Sequence, residues 1–295
     1  MSSDVTKTGK VSRQSRSEFR LGLQQLIKNP LAAAGLVVIL LFVLIAAFGP
    51  LLPVADPLKQ HMNIRAATPS SAHFLGTDQL GRDVLARLIY ATRASLLISG
   101  GAVLLALGLG VPLGLCAGYF GSWTDAVIMR FTDAILSFPA IILAIALVAS
   151  LGTGIVNVMI AIGLVSMPVF ARLVRASALL TKAEDYVLAA RAIGVSNTRI
   201  MIRHILPSSI APVTVQIGAS FAVALIAEAT LSFLGLGVQA PNPSWGMMLN
   251  DARDYLSDAP WLALFPSACI SLAVLAVNFV GDGLRDALDP RYRDE

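Results

Sequence analysis

From position 134 to position 171 the chain carries no charged side chain, a run of 38 residues. In a water-soluble domain about one residue in four is charged, so such a run has no place on a hydrated surface. One helix crossing a hydrocarbon layer needs roughly 20 residues, so this run is too long for one crossing and right for two. Leu-Gly-Thr-Gly at 151–154 supplies the turn, which predicts spans near 131–150 and 156–175, with Pro139 and Pro168 as kink points.

The same reasoning extends along the chain. Residues 29–55 are uncharged and hold a first span at 31–52; they are too long for a signal peptide core and lack an adjacent small-residue cleavage site. Residues 94–124 are uncharged and hold a second at 94–120. Its Gly110, Gly114 and Gly118 recur every fourth residue, a spacing that permits close helix contact. Spans near 209–234 and 261–281 complete six, and 121–130 reads as a short turn. The expected fold class is all-α, a polytopic membrane protein with six transmembrane helices. Only 14% of the residues are charged and the mean hydropathy is +0.74, which agrees. No basic patch outside the spans has the shape a nucleic acid requires, so none is expected as a partner. Cys116 and Cys269 both lie in apolar runs, so neither a disulfide nor a metal site is indicated.

The segments between spans divide the chain into parts. Residues 1–30 form a polar tail in which Phe19, Leu23, Leu26 and Ile27 recur at helical spacing, predicting an interfacial helix. Residues 53–93 are polar and proline-punctuated, becoming helix-like from Thr77 and lying along the interface before the second span. Residues 94–283 form the main transmembrane domain and 284–295 a charged tail. Six spans place both termini on one side, and the segments on that side hold 16 of the 22 Lys and Arg residues. The positive-inside rule therefore puts both termini in the cytoplasm and 53–93 outside.

Residues 181–207, TKAEDYVLAARAIGVSNTRIMIRHILP, are the longest charged, helix-forming stretch between apolar runs. Thr181 with Glu184 has capping-box spacing, 182–193 favours helix, and Gly194 sits where a C-terminal cap belongs. Ser196 or Asn197 can cap a second helix, with Pro207 marking either its end or the entry to the next span. Ala189 and Ala190 are small enough to let another surface approach. The sequence holds no phosphate-binding loop, so the chain is not expected to hydrolyse ATP. The best candidates for catalysis, Asp78, Arg82 and Asp83, suit a salt-bridged helix equally well. Glu228 is the one acid deep inside a span, and it must face the protein interior or an aqueous path.

A large cytoplasmic loop without a motor of its own points to docking, and here the sequence resembles a known family. It is similar to inner-membrane permeases of bacterial ATP-binding cassette importers, in particular the C-type subunit of the dipeptide and oligopeptide group. Their signature is Glu-Ala-Ala, three residues, Gly, nine residues, Ile, one residue, Leu-Pro. Ala189, Ala190, Gly194, Leu206 and Pro207 match in register, while Leu188 stands at the Glu position and His204 at the Ile position. The stretches at 75–96, 231–253 and 278–293 also resemble this group.

The resemblance implies a type I, MetI-like importer permease fold in the bacterial inner membrane. It also implies a homologous B-type permease, two cytoplasmic ATPase subunits and an extracytoplasmic substrate-binding protein as partners. ATP would be bound by the ATPase subunits, with no cofactor, metal or catalytic residue in this chain. Ala189, Ala190, Gly194, Leu206 and Pro207 would couple to the ATPase; Glu228, as an acid inside a span, is a candidate pore or bundle polar site independently of the resemblance. Dipeptides or oligopeptides are the implied cargo, with nickel chelates, glutathione or another small solute as alternatives. An ion-coupled secondary transporter using Glu228 is the remote one.

Overall fold

The computed structural model describes residues 29–288. The first helix, α1 (Pro30–Phe48), begins where Asn29 accepts backbone hydrogen bonds from Leu31 and Ala32, with Pro30 at its first position. It is apolar all round and exposed on most of its surface, as expected of an element whose surroundings are lipid. A short 3-10 turn, Gly49–Leu51, leads into the segment over 52–83. That segment folds back on itself: Ala66 N–H donates to Asp78 O and Thr77 N–H to Ala67 O.

Helix α2 (Val84–Phe120) starts where the Asp83 carboxylate accepts from Ala86 N–H. It runs 37 residues without a break, Pro112 included, or about 55 Å at 1.5 Å per residue. This corrects the expectation of an interfacial leg followed by a separate span. The boundary expected at 93/94 falls inside one helix. Gly121, at φ +66°, ends α2, and α3 (Ser122–Leu136) follows at once, so the expected turn over 121–130 is helical instead. The third crossing is not a single helix: α3 and α4 (Ala140–Leu151) bend by 92° at residues 137–139. Pro139 sits at the break, where it lacks the N–H needed to continue the helix.

Gly152 and Gly154 turn the chain at positive φ, and the Asn157 side chain donates to the orphan carbonyls of Leu151 and Gly152. Helix α5 (Ile155–Lys182) then descends, with Pro168 inside it. Two short helices, α6 (Asp185–Ala192) and α7 (Asn197–Ile200), precede a π-turn at Met201–Ile205 and α8 (Leu206–Phe233). After α8 come the short α9 (Trp245–Ala252) and α10 (Trp261–Leu288). The C-terminal tail expected from 284 is thus helical as far as Leu288. The interfacial helix expected near 19–27 and residues 289–295 lie outside the described residues.

Among the described residues, five helices are long and apolar enough to cross a membrane, and the bent pair α3–α4 makes a sixth crossing when counted as one. The most extensive packing is between α2 and α5. A Cβ on Gly110 would lie 2.6 Å from Met167 O, and one on Gly118 would lie 2.6 Å from Ala178 Cβ. Gly114 meets the Ala171 backbone even more closely. Bare glycine backbone therefore sets the α2–α5 separation, as the four-residue spacing indicated. Helix α10 packs on α1 and α8, and an apolar core of Ile98, Phe170 and Leu231 joins α2, α5 and α8.

Candidate functional site

The 181–207 stretch has a small core of its own. Val187, Ile200 and Ile205 are fully buried against Val174 and Ala178 of α5 and against Leu115 and Tyr119 at the end of α2. The loop is therefore seated on the ends of two helices rather than tethered at its own ends alone. Thr181 belongs to the last turn of α5 and pairs its hydroxyl with Ser208 at 2.7 Å. Glu184 precedes α6 without a side-chain cap bond. The expected capping box does not form, because α5 extends past Thr181 and takes it out of the cap position.

The cap at the other end of α6 does form. Gly194 has φ +81°, its N–H reaches Arg191 O, and Val195 N–H reaches Ala190 O. This is a Schellman closure, which requires a left-handed residue where glycine stands. Val195 then packs onto the loop core.

Of the two roles expected of Pro207, an end to the second helix is not observed; it stands in the first turn of α8, at the entry to the next span. The chain runs through it from α7 into α8, because the turn before it widens and Leu206 N–H bonds to Met201 O. A π-turn of this kind accommodates a proline ring that would crowd an ordinary α-turn.

Burial separates the signature residues. Ala189, Gly194 and Pro207 are exposed, and Leu206 packs partly into the loop core. Ala190 is only 8% exposed and turned inward, so the expectation that it offers a close-contact surface is corrected. The aliphatic side chains that do project are Leu188, 48% exposed, Ile193, 82% exposed, and Ile202, 55% exposed. Leu188 departs from the signature, yet it occupies the outward position.

Tyr119 was not singled out by the sequence. Its hydroxyl donates to Asn197 Oδ1 at 2.6 Å, and the Arg191 guanidinium lies 5.3 Å from its ring centre. Lys182 lies 5.7 Å from the same ring and donates to the Tyr119 carbonyl, one of the orphan acceptors at the end of α2. A tyrosine two residues before a helix-ending glycine was the one available signal.

Glu228 is fully buried on α8. Ser232 Oγ donates to its Oε1 at 2.8 Å, and the Ser95 and Ser244 side chains border the carboxyl. Ser95 Oγ also accepts from Trp245 N–H, at the start of α9. The carboxyl thus sits at the junction of α2, α8 and α9, among hydroxyls that satisfy part of its hydrogen-bonding capacity.

Asp78, Arg82 and Asp83 do not form a reactive cleft. Arg82 Nε meets Asp78 Oδ2 at 2.6 Å, Arg87 Nε lies 3.4 Å from the same oxygen, and Nη2 atoms of both arginines lie 3.2 Å from Asp251 Oδ2. Two cations and two anions compensate one another where the 52–83 segment meets α2 and α9. Asp83 caps α2 and pairs with His73 at 2.9 Å. Arg87 and Asp251 escaped the sequence reading, since nothing local links positions 164 residues apart.

Comparison with known proteins bears on both ends of the chain. Residues 110–294 match the family described as binding-protein-dependent transport system inner membrane component. Residues 17–69 match the N-terminal TM domain of oligopeptide transport permease C. The dipeptide transport system permease protein DppC of Alkalihalophilus pseudofirmus is 47% identical over 277 residues, covering 94% of this chain and 91% of that protein. The glutathione transport system permease protein GsiD of Pectobacterium atrosepticum is 48% identical over 225 residues, covering 76% and 75%. Among solved structures, a chain of the MetNI methionine ABC transporter in an inward-facing conformation superposes with a TM-score of 0.57 at 16% identity, covering 70% of this chain and 98% of its own.

Proposed function

Because the chain belongs to the binding-protein-dependent transport inner-membrane family, as a C-type permease of a peptide ABC importer, we propose that residues 181–207 are the element through which cytoplasmic ATPases drive it. The observation that carries this reading is the loop's construction. It is rigidly seated on α2 and α5 by its own buried core, while Leu188, Ile193 and Arg199 face outward. A surface that is apolar, basic and mechanically tied to two crossing helices suits a partner that pushes on it.

The chain pairs with a homologous B-type permease to form the path. Two ATPase subunits bind ATP below it, and a binding protein delivers cargo from outside. ATP binding draws the ATPases together, the loops follow, and the path opens outward; hydrolysis resets it. The chain itself catalyses nothing. The cargo is a dipeptide or oligopeptide, supported by the dipeptide and di/tripeptide permeases among its relatives. Glutathione is the second reading, favoured by the 48% identity to a glutathione permease.

In proteoliposomes holding the chain, its partner permease, the ATPases and the binding protein, uptake of a labelled dipeptide should require ATP. The purified chain alone should hydrolyse none. Uptake by this chain alone without ATP would sink the reading in favour of an ion-coupled carrier.

Both termini and the 181–207 loop lie in the cytoplasm, on the strength of the Lys and Arg distribution. With Cys116 and Cys269 replaced, a cysteine at Asn242 should react with an impermeant thiol reagent on intact cells, and one at Ser196 should not. The reverse pattern would invert the topology. Both positions are exposed, so accessibility within the chain does not decide the result.

Glu228 holds helices together in this reading. Glu228→Gln keeps an acceptor for Ser232 and removes the ionisable group, so assembly and uptake should stay within roughly threefold of the parent, the scale of one hydrogen bond. Normal assembly with uptake lost would instead place the carboxylate on the transport path.

A further inference from the structure

We propose that Tyr119 is the strut by which the 181–207 loop moves α2, and that α2 carries the displacement in one piece to the 52–83 segment. The inference rests on the coupling role assigned to the loop above.

Helix α5 is joined to the loop by the chain itself; α2 is not, and the loop could swing about the end of α5 and leave α2 behind. Tyr119 opposes this through contacts with α5, α6 and α7. Asn197, at the start of α7, accepts its hydroxyl proton. Arg191 of α6 stacks on its ring, and Lys182 of α5 holds both ring and carbonyl. Tyr119 is only 4% exposed and packs in one core with Val187, Ile200 and Ile205, so it is wedged as well as bonded. A cation over a ring and a buried hydroxyl bond are directional, and they resist displacement better than apolar contact alone.

The far end of α2 is anchored just as specifically. Arg87 in its first turn is paired with Asp78 and Asp251, and Ser95 holds the first backbone N–H of α9. Between these points the helix is continuous. A movement imposed at Tyr119 therefore reaches α9 and the 52–83 segment without passing through a loop. Tyr119 is a positioning residue: it acts through α2 and needs no contact with cargo or nucleotide.

The test uses the full reconstituted complex, with labelled dipeptide as cargo, and compares the parent with Tyr119→Phe, Tyr119→Leu, Asn197→Ala and the double variant Tyr119→Phe/Asn197→Ala. Co-purified ATPase, ATP hydrolysis and uptake are measured on each. Tyr119→Leu should keep the ATPases and their hydrolysis while uptake per ATP falls roughly 2- to 30-fold. Tyr119→Phe keeps the ring and should lose less. The double variant should match the Tyr119→Phe single variant, because both substitutions delete the same bond.

Parental uptake per ATP in Tyr119→Leu overturns the strut, as does loss of uptake matched by loss of bound ATPase, which would make Tyr119 a docking residue. Additive losses in the double variant would also overturn it. Absence of ATP-dependent uptake in the parent complex is a different failure: it removes the functional reading, and the strut with it.

Discussion

Asp78→Ala is expected to destabilise the protein by about 3–5 kcal/mol, the range for removing one partner of a buried ion pair. Asp78 Oδ1 accepts from the backbone N–H groups of Leu80 and Arg82, and Oδ2 faces Arg82 Nε and Arg87 Nε. Its side chain is 7% exposed, and those of Arg82 and Arg87 are 5% and 2% exposed. Alanine leaves two buried guanidinium groups facing Asp251 alone, so one positive charge is uncompensated and two backbone donors lose their acceptor. Membrane abundance should drop and the thermal unfolding midpoint of purified protein should fall. Asp78→Asn keeps the Oδ1 acceptor and should fall less. Asp78→Ala/Arg87→Met restores one cation to one anion and should recover part of the loss. A parental midpoint in Asp78→Ala would show that the four-charge cluster does not hold the 52–83 segment to the bundle.

Gly194→Asp is expected to abolish most ATP-driven uptake while leaving the chain in the membrane at the parental level. A Cβ at 194 meets nothing within 4 Å, so no clash arises inside the chain. The backbone must hold φ +81°, which costs an ordinary residue about 1–2 kcal/mol and less for Asp, which tolerates the left-handed region. What remains is a charged side chain on an exposed turn next to Ile193, where the ATPase is proposed to sit. Gly194→Asn, with the same backbone tolerance and no charge, should retain more uptake. Abundance, bound ATPase and uptake are read together. Parental uptake in Gly194→Asp would mean that this turn does not meet the ATPase, and reduced abundance alone would mean that backbone strain had dominated.

These two positions differ in how visible they were. Gly194 could be placed from sequence because a helix end needing a left-handed residue is a local demand, and glycine between two helix-forming runs announces it. The role of Asp78 depends on Asp251, whose neighbourhood is set by the packing of α9 against α2. The loop shows the same division at finer scale. The alanines at 189 and 190 carry the signature, and helix propensity places both on α6. Propensity is silent about which faces inward, and the buried face is chosen by where Tyr119 and Val174 lie. Ala190 turned in and Leu188 turned out for that reason.

The sequence alone determined that the chain crosses a membrane, about how many times, and where its longest charged stretch between apolar runs lies. Those properties follow from charge and hydropathy summed over windows, which no distant contact alters. Only the tertiary structure decided that α2 is a single rod, that the third crossing bends by 92° at Pro139, and that Tyr119 and Glu228 are junctions. In a soluble helix, apolar periodicity marks the core face because the other face meets water. Here the outer face meets lipid and is as apolar as the core, so the period fades and the facing of each helix is fixed only by its neighbours.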